Sequence, residues 1–449
     1  MTSEHPNLMR ERAGPQRVTH IELFFDLVYV FAVTQLSHFL LAGSALASTG
    51  AGAVRTGIEA AVLLIMVWQL WAYTTWVTNW LDPDLIAVRL LLLALAVISL
   101  VMSAALPSAF TDSGQGRQTP SVLPADVSPR AALIVGVAYL VMQVGRSVFA
   151  VVAIRDPGLR RNFQRILVWC VVSGLFALGG GLAHGDVRIL LWACAVLVDG
   201  AGGAVGFYTP RLGRSRTADW TIEGGHLAER CQGFILIAIG ESIVVIGATL
   251  ADRLSGAAAL TLAEIAAFVI AVVSSVAFWW LYFDRSARDS AEVIAHSADP
   301  GRLGRSAYHF IHPVMVAGII VTAAADGATA VATGRSSGAG TAAAGPVTGW
   351  VAGLILVGPA LFLAGHAAFK AVIWRKVSWQ RVGAVLGLGL LGLAAPFVGA
   401  VTLSACAAGV VVAVAVADQV WAPPSGELSE HGSAGGGPSA EPPARPPAG

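Results

Sequence analysis

Apolar residues run for about twenty positions at a time along most of this chain, with short polar breaks between the runs. A helix of about twenty such residues crosses the hydrocarbon core of a bilayer. Runs of that length fall near 21–43, 57–77, 86–108, 131–154, 163–182, 187–208, 231–250, 264–283, 308–331, 349–370, 380–397 and 399–420. The pattern predicts an all-α fold, a polytopic transmembrane helical bundle of about twelve spans. Between the last two runs only Pro396 and Gly399 mark a turn, so one long kinked element there would make eleven.

The breaks add little of their own. Residues 1–20 read as a cytoplasmic N-terminal segment and 21–421 as the transmembrane domain. Segments 111–130 and 332–348 are Gly/Ser/Ala/Pro-rich and read as external loops. Residues 422–449 hold too few apolar side chains to fold and are expected to form a disordered cytoplasmic tail. No stretch suits a soluble domain, and no clean repeat relates the two halves.

Charge fixes an orientation. With the N-terminus inside, the inner breaks hold 20 Lys and Arg residues and the outer ones six. That bias alternates from break to break, as the positive-inside rule requires. It places both termini in the cytoplasm and the protein in the cell's inner (plasma) membrane. The basic leader with Arg10, Arg12 and Arg17 resembles a signal peptide. However, the run behind it is too long, carries Glu22 and Asp26, and precedes many more spans.

Composition agrees: 12% of residues are charged, against about 25% in an average soluble chain. Mean hydropathy is +0.71. A net charge of +1 argues against nucleic acid as a partner. Lys370 and Lys376 are the only lysines, and with the abundant Ala and Gly they point to a GC-rich bacterial genome. Cys170, Cys194, Cys231 and Cys406 form no CxxC pair and read as inert thiols within or beside apolar segments. The cluster Trp68, Trp71, Tyr73, Trp76 and Trp80, and that of Trp279, Trp280 and Tyr282, fit headgroup-level aromatic belts.

The informative positions are ionisable residues inside apolar runs. An ionised side chain in hydrocarbon costs several kcal/mol, so it must be paired, neutralised or wetted. Glu22 and Asp26 share a face of the first helix at i,i+4. Glu241 sits ten residues into its run, about 15 Å deep. Asp199 is central in the sixth run and precedes Gly200, Gly202, Gly203 and Gly206, which permit close helix approach or local unwinding. Arg146 lies in the inner half of the fourth span, where one arginine cannot balance three acids. It is expected within ion-pair reach of Asp26, Asp199 or Glu241. Asp284 marks the inner end of the eighth run, and Asp326 the outer half of the ninth. His309 and His312 share a face at i,i+3 and, with an acid, are candidate ligands for Zn²⁺ or Mn²⁺, although that spacing often occurs without metal.

Two blocks carry a resemblance. Glu22-Leu23-Phe24-Phe25-Asp26-Leu27-Val28-Tyr29-Val30-Phe31 through His38 resembles the opening signature of the bacterial low temperature requirement protein A family. His226-Leu227-Ala228-Glu229-Arg230, with Leu236 through Val244, is similar to that family's second block. Asp199, Trp280 to Asp284 and His309 to Gly318 fit weaker blocks. Cys231-Gln232 departs from the pattern without touching an ionisable position. The resemblance covers roughly 16–400 and implies a multi-span inner-membrane protein, of a family named for a requirement for growth in the cold. It supplies no reaction or substrate.

The candidate polar network is therefore Glu22, Asp26, Arg146, Asp199, Glu229, Arg230, Glu241, Asp284, His309 and His312. Carboxylates beside histidines at mid-membrane suit conduction or transport of a proton, cation or small solute. An enzyme acting on lipid or lipid-linked substrates, with Asp26, Glu241 and the histidines as acid/base groups, ranks second. A structural membrane protein affecting cold fitness ranks third. Beyond the lipid bilayer, the sequence names no cofactor, solute, partner or oligomeric state.

Overall fold

A computed structural model describes residues 8–10, 17–43, 50–111, 130–216, 223–255, 259–284, 286–295, 297, 299–337, 347 and 349–420. The tail at 422–449 and most of the two expected external loops lie outside the described residues. The helices are α1 His20–Ala42, α2 Gly50–Thr78, α3 Ile86–Ala105, α4 Ala131–Ala153, α5 Pro157–Leu182, α6 Gly185–Ala204 and α7 Gly224–Ser255. They continue as α8 Leu262–Phe283, α9 Ser286–Ala295, α10 Pro300–Gly304, α11 His312–Ser337, α12 Gly349–Trp374, α13 Trp379–Leu391 and α14 Ala400–Val420. A π-helical turn, Arg305–Ile311, joins α10 to α11. Among the described residues the remaining regular pairing is two isolated bridges, Met9 with Leu81 and Thr209 with Gly213.

Among the described residues, 11 helices are long and apolar enough to cross a membrane. The eleventh predicted run, 380–397, folds differently from the rest. It is the 13-residue α13 followed by turns and the 3-10 helix Ala395–Phe397. Thirteen residues rise about 20 Å, short of a hydrocarbon core. Yet the run is not merged with α14. At its start, Arg381 pairs with Asp418 near the end of α14. At its end, the Val398 carbonyl accepts from the Val347 N–H, just before α12. The segment thus reaches from one end of the bundle to the other, with turns completing what the helix does not cover.

The end at which α1 begins is here termed proximal. Cross-links there join Arg10 to the Thr78 carbonyl, Asn79 to Glu223, Arg165 to the Leu212 carbonyl and Arg305 to the Gly203 carbonyl. At the distal end Arg55 meets Asp186, and the Trp350 indole donates to the Leu40 carbonyl.

The bundle turns ionisable side chains into an otherwise apolar core and leaves apolar ones on its outer surface. On α1, Glu22, Phe25, Asp26 and Tyr29 are buried, whereas Leu23, Phe24 and Leu27 are exposed. That one face of carboxylates is what a lipid-facing helix must turn inward. Helices α11 and α12 approach closely. A Cβ at Gly318 would lie 2.4 Å from the Phe362 backbone nitrogen, so only glycine fits. The glycines after Asp199 do not unwind α6, which is continuous to Ala204. Gly206 instead turns the chain beyond it, at φ +67°.

The aromatic cluster on α2 corrects a reading of the sequence. Trp68, Trp71, Tyr73, Trp76 and Trp80 are buried within the bundle rather than lying at its lipid surface. Their periodicity fits an inward stripe, and two of their indole N–H groups serve buried acceptors. Trp279 and Trp280 are exposed, as a belt requires, whereas Tyr282 is buried.

Candidate functional site

The proximal core holds a charge cluster built from α1, α2 and α7. Glu22 closes the first turn of α1: its Oε2 accepts from the Thr19 N–H at 2.9 Å and the Thr19 hydroxyl at 3.0 Å. Its Oε1 accepts from Arg230 at 3.0 Å and lies 2.9 Å from His226 Nε2. The second Arg230 terminal nitrogen donates to Asp26 Oδ1 at 2.6 Å, and that oxygen also accepts from the Trp71 indole at 2.7 Å. Arg230 lies over the Trp71 ring, 5.7 Å from its centroid. Asn79 sets the histidine tautomer. Its carbonyl accepts from the Glu223 N–H, so its amide nitrogen is the group facing His226 Nδ1 at 3.3 Å. Nδ1 is then the acceptor, and Nε2–H donates to Glu22. With the Arg10 guanidinium 3.7 Å from Glu22, two carboxylates face two arginines and a histidine.

A second cluster lies on α4 and α6. Tyr139, Gln143 and Arg146 form a stripe on one face of α4. The Tyr139 hydroxyl and the Gln143 amide (2.7 Å) both donate to Asp199 Oδ2. The Gln143 carbonyl accepts from Arg146. Gln143 therefore stands between the arginine and the acid. The other Arg146 terminal nitrogen donates to the Leu70 carbonyl and the Thr74 hydroxyl, both at 3.1 Å. The expected ion pair of Arg146 with Asp26, Asp199 or Glu241 is not formed among the described residues. Asp26 takes Arg230 instead, and Asp199 reaches Arg146 only through the glutamine.

Glu241 stands apart on α7. Its Oε2 accepts from the Thr34 hydroxyl at 2.5 Å, and Oε1 has no hydrogen-bond partner. Further along the same face of α7, Val245 packs near Gly327 of α11. Beside Gly327, Asp326 Oδ2 is buried without a partner. Asp326, Thr249 and the Arg253–Glu264 pair line a distal cavity.

The two histidines do not act as a pair. The π-turn alters the register ahead of α11, and the side chains part. His309 faces the Tyr73 ring edge-on at 5.6 Å. His312 stacks on Trp68 at 5.8 Å, and its Nε2 lies 3.1 Å from the Cys231 carbonyl. Among the described residues no group of three or more His, Cys, Asp or Glu side chains is placed to hold a metal ion. Glu229 and Asp284 lie at the exposed rim. Glu229 accepts from the Val18 N–H at 3.1 Å, and Asp284 from the Gln419 amide at 2.5 Å. Each docks a chain segment, and neither joins the core clusters.

His226, Trp71, Asn79, Gln143 and Tyr139 were absent from the sequence-derived set. Two signals could have found some of them. His226 and Arg230 are i,i+4, and Tyr139, Gln143 and Arg146 follow one helical face.

Helices of this length with charge turned inward and apolar side chains outward define a multi-pass membrane protein. Residues 17–417 match the family model described as bacterial low temperature requirement A protein (LtrA), and the chain belongs to that family. It is also similar to an uncharacterized protein of Rhizobium meliloti (strain 1021), 32% identical over 423 residues, covering 94% of this chain and 93% of that one. No solved structure matches the chain.

Proposed function

We propose that the protein conducts or transports a proton or small cation across the bacterial inner membrane, with both termini in the cytoplasm. One observation carries this reading. Glu241 and Asp326 are intramembrane carboxylates outside any ion pair among the described residues, each with a buried oxygen lacking a partner. A carboxylate so placed needs a proton, a cation or water to be tolerated, and exchanging these is what a relay does. The proximal acids supply contrast, because arginines already balance them. The enzymatic reading calls for Asp26, Glu241 and the histidines to converge, whereas each has its own separate partners.

The test uses the full chain in liposomes holding a pH-sensitive dye, under an imposed potential and, in parallel, sodium and potassium gradients. Flux above empty liposomes is expected for at least one of the three cations. Glu241→Gln, which keeps shape and hydrogen bonding, should reduce that flux at least tenfold without changing the melting temperature. Flux equal to that of empty liposomes for all three would overturn the proposal. Complementation of a deletion strain for growth in the cold is expected to fail with the same variant.

A further inference from the structure

The proximal half contains a cavity that the cation reading does not use. It lies between α2, α4, α5, α6 and the π-turn, and two arginines and a histidine line it: Arg146, Arg305 and His309. Its other walls include the aromatic rings of Tyr73, Trp76, Trp80 and Phe207.

The charges facing this cavity are unbalanced. Arg146 is fully buried, yet all its hydrogen bonds go to neutral acceptors: the Leu70 carbonyl, the Thr74 hydroxyl and the Gln143 carbonyl. Its Nε has no partner. Arg305 donates through one terminal nitrogen to the Gly203 carbonyl at 2.6 Å, and its Nε also lacks a partner. His309, 7% exposed, has an unpartnered Nδ1. Among the described residues neither arginine has a carboxylate within ion-pair distance. The charges around Arg305 are Asp299, Arg214 and Arg302, and Asp299 is already engaged by Arg302, at 3.9 Å and through its N–H. Asp199 sits behind the Gln143 amide and does not line the cavity.

Elsewhere this chain treats buried arginines differently. Arg230 meets Glu22 and Asp26, and Arg381 meets Asp418. Arg188 donates to carbonyls at the carboxyl end of α5, where free carbonyls bear partial negative charge. The Leu70 carbonyl is different, being mid-helix and already accepting from Thr74. The irregular backbone points the same way. A π-turn is uncommon and often marks a functional site, and this one carries both Arg305 and His309.

We infer that this cavity binds the oxyanion end of an amphiphile, a carboxylate or phosphate group carried on an apolar body. Its open space of about 40 Å³ compares with the about 10–15 Å³ needed for one water. An oxyanion fits that space, and the apolar body lies along the aromatic wall or in lipid. Arginine forks suit both oxyanions. This site is independent of the cation reading.

The test is calorimetric titration of the delipidated full chain in micelles of a nonionic maltoside detergent with octanoate, octyl phosphate and octanol. At least one of the two anions should bind at least tenfold more tightly than octanol. Arg305→Gln should remove that preference, and Arg146→Lys, which keeps charge but loses the fork, should weaken it severalfold. Folding is checked by melting temperature, and Arg305, at the cavity edge and only partly buried, carries the test should changes at Arg146 disturb the core. Mass spectrometry of the protein before delipidation separates the sources. An acidic phospholipid retained by the parent and lost in Arg305→Gln identifies a lipid headgroup, whereas its absence together with anion binding identifies a free solute. Equal affinity for octanol and both anions, or an anion preference unchanged in Arg305→Gln, would overturn the inference.

Discussion

Two buried arginines, on α7 and α4, helices that both pack against α2, are partnered in opposite ways. Arg230 is clamped between Glu22 and Asp26, with Trp71 against its face and His226 completing the hydrogen bonds of Glu22. Arg146 is as deeply buried but is held by a carbonyl, a hydroxyl and a glutamine, and it faces a cavity. The first arrangement ties α1, α2 and α7 together and balances the Arg230 charge with carboxylates. The second leaves a guanidinium without a directly bonded carboxylate in a low-dielectric setting, where a mobile anion would gain most. Burial alone therefore does not distinguish a lock from a site; the chemistry of the partners does.

The largest effect expected from breaking this comparison is at Arg230. Arg230→Met removes the cation from two buried carboxylates at once. Breaking a buried pair typically costs about 3–5 kcal/mol, so detergent melting should fall steeply or the protein should fail to accumulate. Adding Glu22→Gln and Asp26→Asn should restore much of the loss, because the orphaned charges are then gone. A triple variant no more stable than Arg230→Met would show that the cluster is not an electrostatic lock.

Asp199→Asn should have a smaller effect. Its carboxylate has no ion pair to lose, and an asparagine carbonyl can still accept from Tyr139 and Gln143. The expected cost is about 1–2 kcal/mol, the scale of altered hydrogen bonds at a buried group. A loss as large as that of Arg230→Met would mean that Asp199 and Arg146 act as a pair despite the glutamine between them.

The helices and the resemblance were legible because both are local properties. Twenty-residue apolar runs and the Glu22-to-Phe31 block require no knowledge of what packs on what. The partners of each charge were not legible, because they depend on helix–helix register. Arg230 lies one residue before the apolar run 231–250 and so reads as a loop charge, whereas α7 begins at Gly224 and buries it. The shared face of His309 and His312 assumed an α-helical register that the π-turn replaces. The stacked aromatics of α2 read as a surface belt, since a stripe of tryptophans has the same sequence whether it faces lipid or a bundle. The run that begins with α13 has the right length, but its 391–399 stretch, with Gly392, Pro396 and Gly399, turns instead of extending the helix.

The smallest effect belongs to the rim. Glu229 and Asp284, like the buried acids, occur in blocks that resemble the family, and sequence alone gives no reason to rank them lower. Both are exposed, and each makes a docking contact, with the Val18 N–H or the Gln419 amide. Water can replace either contact at little cost. Glu229→Gln keeps an acceptor for Val18, and Asp284→Asn keeps one for Gln419. Each should shift stability by less than about 0.5 kcal/mol, as surface changes usually do, and should leave both cation flux and octanoate affinity unchanged. The informative failure is a loss of flux in Glu229→Gln with an unchanged melting temperature. That result would place the functional path along the rim of α7 rather than through Glu241, and would reverse the ranking of buried over exposed acids on which the comparison rests.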